Sequence, residues 1–153
     1  MKEVVILVGR QGAGKTWYCQ TALPEYKRIS QDEGPRRYSS LFRHYCDLLE
    51  AGVEKIVIDR TNPLRWQRKR FADLAKSHGY RVKIIYFDVP RSLCERRILE
   101  RKDHPTLKPE KMTDAIDHFE SVFEMPQADE CDELVIIKQD LPEDLQKGED
   151  SQE

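Results

Sequence analysis

Residues 9–16 read Gly-Arg-Gln-Gly-Ala-Gly-Lys-Thr and match the pattern G-x-x-x-x-G-K-[ST] without a mismatch. The five residues before them, Val4–Val8, are all apolar, which is typical of a buried strand. The segment from Lys15 to about Leu23 is compatible with a helix. In a strand, glycine-rich turn and helix of this kind, backbone N–H groups converge on phosphate oxygens. The stretch therefore predicts an α/β fold with a phosphate-binding loop.

Two side chains of the loop have predicted roles toward a nucleoside triphosphate. Lys15 would reach the β- and γ-phosphates of ATP, and the Thr16 hydroxyl would ligate Mg²⁺. The other residues expected around the nucleotide are Gly9, Gln11, Gly12, Ala13, Gly14 and Trp17. An aromatic such as Trp17 can stack on a nucleobase, although packing is the commoner role. The alternative is a glycine-rich turn that binds nothing.

The length and composition of the chain favour one intracellular domain. It has 153 residues, of which 39% are hydrophobic and 35% charged. We expect a domain over 1–140 and an acidic, disordered tail over 141–153. No apolar run reaches membrane-spanning length, no signal-peptide pattern opens the chain, and the four cysteines lack metal-ligand spacing. These features predict reduced thiols and a cytoplasmic, nucleoid or nuclear location.

Strand and helix patterns alternate along the chain. Strands are predicted over 4–8, 26–30, 55–59, 82–87 and 134–137. Helices are predicted over 15–23, 38–49, 63–78, 90–101 and 109–123. This alternation predicts a parallel sheet of about five strands with helices on both faces. Ligands bind such sheets beyond the carboxyl ends of the strands, so the site is expected in the loops there.

Two carboxylates lie at predicted strand ends. Asp59 follows an apolar strand, as a Walker B acid does, and is expected to hold Mg²⁺ beside Thr16. A helix-capping Asp is the alternative. Asp32 is the best candidate for the general base that takes the proton of an acceptor hydroxyl, and a turn residue is its alternative. Thr61 and Asn62 are expected either to position Asp59 or to cap a helix that begins at Pro63.

Cations form three further groups. Arg97, Arg101 and His104 share one helical face and could form a mobile lid over the triphosphate, or simply a solvated face. Residues 126–153 are strongly acidic, whereas the rest of the chain is net basic. The basic residues form one group with Arg36, Arg37 and Arg43, and a second with Arg60, Arg65, Arg68, Lys69 and Arg70. They are either a footprint for a polyanion or a solvated surface.

Over residues 1–137 these pieces together resemble the P-loop kinase domain of 5′-hydroxyl polynucleotide kinases, the end-healing enzymes of DNA and RNA repair. The matching stretches are Gly14–Trp17, Gln31-Asp32 followed by Arg36 or Arg37, Asp59–Pro63, and Arg97 through Arg101 to His104-Pro105-Thr106. The resemblance implies a P-loop kinase fold with a short lid, with ATP as donor and Mg²⁺ as metal.

The resemblance also implies roles for individual residues. Lys15 and Thr16 would serve ATP and the metal, and Asp32 would activate the 5′-hydroxyl. An arginine after Asp32, either Arg36 or Arg37, would contact the acceptor phosphate. A lid arginine, Arg97 or Arg101, would stabilise the transferring phosphoryl group. Asp59, Arg60 and Asn62 are expected beside the acceptor.

The expected partners are 5′-hydroxyl ends of DNA or RNA, with a separate ligase or 3′-phosphatase and no membrane. A small-metabolite or nucleoside kinase of the same superfamily is the main alternative. A non-catalytic module with a vestigial loop is a third possibility. The intact set of Lys15, Thr16, Asp32 and Asp59 argues against it.

Overall fold

The computed structural model describes residues 1–30, 37–100 and 109–141, and the side chains of 109–112 are not described. The strands are β1 (Glu3–Val8), β2 (Lys27–Ile29), β3 (Lys55–Ile58), β4 (Arg81–Asp88) and β5 (Glu133–Lys138). The helices are α1 (Lys15–Ala22), α2 (Tyr38–Glu50), α3 (Arg65–Ser77), α4 (Arg91–Glu100) and α5 (Pro109–Val122), with a 3₁₀ turn at Ala128–Glu130. No helix in these ranges is long and apolar enough to cross a membrane.

The strands form one parallel sheet in the order β2-β3-β1-β4-β5. This confirms the predicted parallel sheet. β1 lies at its centre, with Val4 beside Ile56 of β3 on one side and Val82 of β4 on the other. Because the chain adds β2 and β3 on one side of β1 and β4 and β5 on the other, the winding reverses next to β1. In sheets of this kind ligands bind at such a point, beyond the carboxyl ends of the strands.

The alternating side chains of β1 enter two separate cores. Val4, Ile6 and Val8 pack with side chains of α2 and α3, such as Leu41 and Phe71. Val5 and Leu7 face the other way and pack with α1, α4 and α5, through side chains such as Cys19, Cys94 and Ile116. Both faces of the sheet are therefore covered by helices, and the central strand is fully buried.

The start of α3 differs from the sequence prediction. The helix begins at Arg65, and the residue before it, Leu64, is extended and makes no side-chain cap. Asn62 has a positive φ of 47°, and its side chain turns back toward β1. Thr61 and Asn62 are thus part of a turn, and the prediction that they cap a helix starting at Pro63 was wrong.

Arg68 of α3 is a structural residue. Its side chain is completely buried and pairs with Glu130, with Nε 2.8 Å from Oε1. Its Nη1 donates to the carbonyls of Asn62 and Pro63, and its Nη2 to the carbonyl of Glu124. The prediction that this residue belongs to an exposed basic face was wrong. Its guanidinium binds Glu130 and backbone carbonyls, and these bonds hold α3 against the segment before β5.

Candidate active site

The phosphate-binding loop connects β1 to α1 through two glycines in the left-handed region. Gly12 has φ of 81° and Gly14 has φ of 97°. A Cβ on Gly12 would lie 2.6 Å from the carbonyl oxygen of Cys94, so no larger residue fits against α4 there. At this position glycine is required by the backbone angle and by the close approach of a helix.

Lys15 begins α1 and turns back across the loop. Its side chain is buried, and Nζ donates to the carbonyls of Gly9 at 2.9 Å and of Arg10 at 2.7 Å. These bonds hold the ammonium group at the mouth of the loop. A triphosphate seated on the loop would meet this positive charge together with the N-terminal end of α1.

Thr16, Asp59 and Arg28 form a buried cluster at the ends of α1, β3 and β2. Thr16 Oγ1 donates to Asp59 Oδ2 at 3.0 Å, and Arg28 Nε donates to the same oxygen at 2.7 Å. Arg28 Nη2 also reaches Thr16 Oγ1 at 3.3 Å. Asp59 is held from below, since its N–H donates to the carbonyl of Ile29. The hydroxyl and carboxylate that the sequence assigns to the metal are therefore in direct contact.

These residues fit a Mg²⁺ ion. Both offer hard oxygen donors, and no group of three His, Cys, Asp or Glu side chains in the described ranges could hold a metal on its own. Mg²⁺ in nucleotide sites is typically held by one or two protein groups together with phosphates and water. The arrangement thus suits a metal that arrives with its nucleotide.

Arg28 is the site residue that sequence reasoning missed. It lies on the short strand β2, next to β3, and its side chain is almost buried against Asp59. An arginine inside a predicted strand that ends at the ligand edge was the available signal, because burial of a guanidinium in such a place requires a carboxylate partner.

Cys19 lies beneath this cluster on α1. Burial, followed by the nearby carboxylate of Asp59, raises the pKa of its thiol to about 12. The sulfur is therefore protonated at neutral pH and acts as a small packing group.

Arg97 of α4 extends to the phosphate loop from the other side. Its Nη1 donates to the carbonyl of Gly12 at 3.3 Å, and its Nη2 to Oε1 of Gln139 at 2.5 Å. Arg96, in contrast, faces outward and pairs with Glu100. Arg97 thus lies beside the phosphate loop, and its role in a lid stays a prediction, because Arg101 and His104 lie outside the described residues.

Arg60 and Tyr38 lie next to each other on the other flank of Asp59. The guanidinium of Arg60 sits over the Tyr38 ring, with Cζ 5.0 Å from its centroid. Nε and Nη1 of Arg60 and the Tyr38 hydroxyl are shielded from water, and none has a hydrogen-bond partner. Burial accordingly lowers the pKa of Arg60 from its ordinary value.

The remaining predicted residues are distributed differently. Asn62 is 1% exposed, and its amide donates to the carbonyl of Leu7, so its side chain positions the loop. Trp17 is 66% exposed and packs in neither core. Arg37 is exposed at the N-terminus of α2. Asp32 and Arg36 lie outside the described residues.

The fold and this site define a P-loop kinase. The model of the AAA_33 family, described as an AAA domain, matches residues 4–126, and the chain belongs to that family. The resemblance to polynucleotide kinase domains is confirmed by curated relatives. A bifunctional polynucleotide phosphatase/kinase of Schizosaccharomyces pombe is 27% identical over 139 residues, which cover 84% of this chain and 31% of that protein.

A second relative, from Acanthamoeba polyphaga mimivirus, is also described as a polynucleotide phosphatase/kinase. It is 29% identical over 133 residues, again 84% of this chain and 31% of the relative. The chain thus spans about a third of the length of these two proteins.

Solved structures agree on the fold. A sugar kinase from Janibacter superposes with a TM-score of 0.59 at 16% identity, covering 99% of this chain and 94% of that one. A fungal RNA kinase gives a TM-score of 0.53 at 18% identity, covering 94% and 76%. Likeness at this level shows the fold and leaves the acceptor open.

Proposed function

We propose that this chain transfers the γ-phosphate of ATP to the 5′-hydroxyl end of DNA or RNA. The observation that carries the proposal is the match, over 84% of the chain in each case, to relatives named as polynucleotide phosphatase/kinases. The arrangement of Lys15, Thr16 and Asp59 supports a phosphoryl transfer in general. The acceptor is the part that rests on the relatives.

In the proposed reaction, the 5′-hydroxyl oxygen attacks the γ-phosphorus while the bond from that phosphorus to the β–γ bridging oxygen breaks. ADP leaves, and the hydroxyl proton passes to the carboxylate of Asp32. Lys15 binds the β- and γ-phosphates, and Arg97 stabilises the charge on the transferring group. Mg²⁺, which Thr16 and Asp59 would hold, supplies neutralisation of the phosphate oxygens when bound.

Acceptor contacts in this proposal come from the segment after Asp32 and from the turn after β3. Arg37 is exposed at the start of α2, where a strand leaving the site would pass. Arg36 remains a second candidate for the same phosphate.

A small-metabolite or nucleoside kinase is the second candidate, and the charge pairing around α3 favours it. Arg65 pairs with Asp129, Lys69 with Asp73, and Arg68 is buried against Glu130. A basic face whose charges are neutralised in this way attracts a polyanion less than the sequence suggests. The polynucleotide reading therefore depends on fewer cations than the composition of the segment implies.

One assay separates the two candidates. γ-Labelled ATP is offered in parallel to 5′-hydroxyl oligonucleotides, nucleosides and sugars, with Lys15→Ala and Asp32→Asn as blanks. We expect label on the oligonucleotides at a kcat/KM at least about a hundredfold above that for nucleosides. Equal or better use of a nucleoside or a sugar would overturn the acceptor assignment. Full activity of Lys15→Ala would overturn the role of the loop.

A further inference from the structure

A cluster of unsatisfied donors is formed by Arg60, which directly follows Asp59 in the chain, and Tyr38. Arg60 Nε, Arg60 Nη1 and the Tyr38 hydroxyl are all shielded from water and without a hydrogen bond. Within the described ranges Arg60 has no carboxylate within ion-pair distance, whereas Arg65, Arg68 and Arg81 each have at least one. Three orphaned polar atoms in one place are unusual in a well-packed protein.

Such donors are costly in the unbound protein. A buried donor without a partner loses the hydrogen bonds that it would make to water, and the loss is larger when the group is charged. The ring of Tyr38 offsets part of this cost for Arg60 through a cation–π contact. The rest is recovered only when a ligand supplies acceptors.

We propose that Arg60 and Tyr38 bind a phosphate group of the acceptor strand, and that Trp66 provides a stacking surface for the nucleobase attached to it. The inference rests on the proposed function and names the part of the acceptor that the enzyme reads. It assigns to Tyr38 and Trp66 a role that the sequence did not predict.

The chemistry of the cluster fits this ligand. A guanidinium presents a planar fork of N–H donors that matches a phosphate, and the phenol adds one O–H donor. Trp66 is half exposed and meets the Tyr38 ring edge-on, at 6.2 Å between centroids. Stacking of a base on an exposed aromatic side chain is favourable for every base and therefore tolerates any sequence.

The location of the cluster separates it from the donor nucleotide. Arg60 follows Asp59 directly, and Tyr38 is the first residue of α2, just after the segment that carries Asp32. Arg97, whose guanidinium donates to the phosphate loop, comes from α4 on the opposite side of β1. The acceptor and the donor thus approach Asp59 from different flanks.

A ligand reaches the shielded nitrogens of Arg60 only when neighbouring side chains move. Trp66 contacts the Tyr38 ring, and 53% of its surface is exposed. Its fluorescence should therefore report binding directly.

The test compares a 5′-hydroxyl dinucleotide, which carries one phosphodiester, with the matching nucleoside, by calorimetric titration. We expect Arg60→Gln to weaken dinucleotide binding about tenfold or more and to leave nucleoside binding within about twofold. Tyr38→Phe should weaken it about threefold, the effect of one hydrogen bond. With single-stranded oligonucleotides, Arg60→Gln should also reduce the log–log salt slope by about 0.7.

Arg81→Gln is the matched control. It removes the same charge at the amino end of β4, which is the edge of the sheet opposite to the candidate site. Arg81 pairs there with Glu133. We expect no change in dinucleotide affinity and a smaller change in the salt slope. If Arg60→Gln behaves as Arg81→Gln does, the phosphate site is wrong. Should Arg60→Gln fail to fold, Tyr38→Phe decides, and unchanged affinity in that variant overturns the site.

Base stacking is tested with Trp66→Ala, which should weaken dinucleotide binding about tenfold irrespective of base identity. Quenching of Trp66 fluorescence by the dinucleotide, measured with Trp17 replaced by Phe, should disappear in Arg60→Gln at the same ligand concentration. Absence of quenching in the Trp17→Phe variant, which retains Arg60, would overturn the stacking role of Trp66.

The outcomes distinguish the two proposals. If the unmodified protein phosphorylates oligonucleotides while Arg60→Gln keeps the same KM and salt slope, only the Arg60 site falls. If the unmodified protein phosphorylates nucleosides or sugars and binds the dinucleotide no better than the nucleoside, the acceptor assignment falls, and the site with it.

Discussion

Arg60 and Arg68 belong to one basic stretch of sequence and end in opposite environments. Arg68 is completely buried, and its donors are satisfied by Glu130 and by backbone carbonyls. Arg60 is shielded from water over two of its nitrogens and has no hydrogen bond to them. A run of positively charged residues therefore says little about function. What distinguishes these residues is whether the fold provides a hydrogen-bond acceptor for the guanidinium.

Arg28 adds an intermediate case. It is partly buried and bonded to a carboxylate, but that carboxylate, Asp59, is one that the sequence assigns to a metal. Among the described residues, Arg68 thus has a permanent carboxylate partner and Arg28 has one for which a metal would compete. Arg60 has no carboxylate partner among those residues. This comparison predicts how each should respond to substitution.

The largest effect is expected at Arg68. Replacing it with Met removes the main partner of the buried Glu130 carboxylate and leaves it only the longer contact with Arg65 and the N–H of Gln127, which should lower the free energy of unfolding by about 3–5 kcal/mol in urea denaturation. The double variant Arg68→Met/Glu130→Leu should recover much of that loss, since it removes both charges. A loss below about 1 kcal/mol in the single variant would remove Arg68 from the structural class.

Arg28 should affect metal binding. Its guanidinium contacts both Asp59 Oδ2 and Thr16 Oγ1, so it competes with a cation for the same two oxygens. We expect Arg28→Gln to tighten Mn²⁺ binding in the presence of ADP about tenfold, as measured by electron paramagnetic resonance. The reason is that repulsion between two nearby cations exceeds the benefit of one orienting hydrogen bond. Weaker Mn²⁺ binding would show that Arg28 orients Asp59 for the metal instead.

Arg60 should have little effect on stability. Replacing it with Met removes an unsatisfied guanidinium, which favours the folded state by about 1–3 kcal/mol, and also removes a cation–π contact of about 0.5–2 kcal/mol. The two effects nearly cancel, so the free energy of unfolding should change by less than about 1 kcal/mol. A loss comparable to that of Arg68→Met would place Arg60 among the structural residues and contradict its role in binding.

The smallest effect concerns the thiol beneath Arg28 and Asp59. The pKa of Cys19 is raised to about 12 by burial and by Asp59, whereas an unfolded thiol titrates near 9.0. The native thiol should thus resist iodoacetamide at pH 8.5, and peptide mapping should find modification only after unfolding. Because the unfolded thiol ionises first, this group should also reduce stability as pH rises above about 9. Rapid native labelling of Cys19 would contradict the buried, neutral thiol.

The fold was largely predictable because its signals are local. Apolar runs such as Val4–Val8 gave the strands, helical spacing gave the helices, and the loop of residues 9–16 fixed the edge of the sheet where the site lies. Asp59 was found for the same reason, since a carboxylate after a buried strand is visible without any long-range information. The local turn at Asn62 was missed, because a positive φ outside glycine leaves no periodic pattern.

The roles of the arginines were not predictable in this way. Arg68 is buried because it pairs with Glu130, which lies 62 residues further along the chain. Arg28 is partly buried because it pairs with Asp59, 31 residues away. Neither partnership leaves a spacing that periodicity can detect. Arg60 could be placed near the acceptor from its position after Asp59, but its lack of a partner appears only once the surrounding side chains are packed.

Gly12 is held from two directions before any nucleotide arrives. The carbonyl oxygen of Cys94 lies 2.6 Å from the place that a Cβ on Gly12 would occupy. Arg97 Nη1 donates to the carbonyl of Gly12. The curvature of the loop is thus imposed by a helix that folds with the core, so a nucleotide need not order the loop itself. Little conformational entropy is lost on binding, and more of the interaction energy remains as affinity. We therefore expect the packing of α4 against the loop, at residues such as Cys94, to contribute to donor affinity.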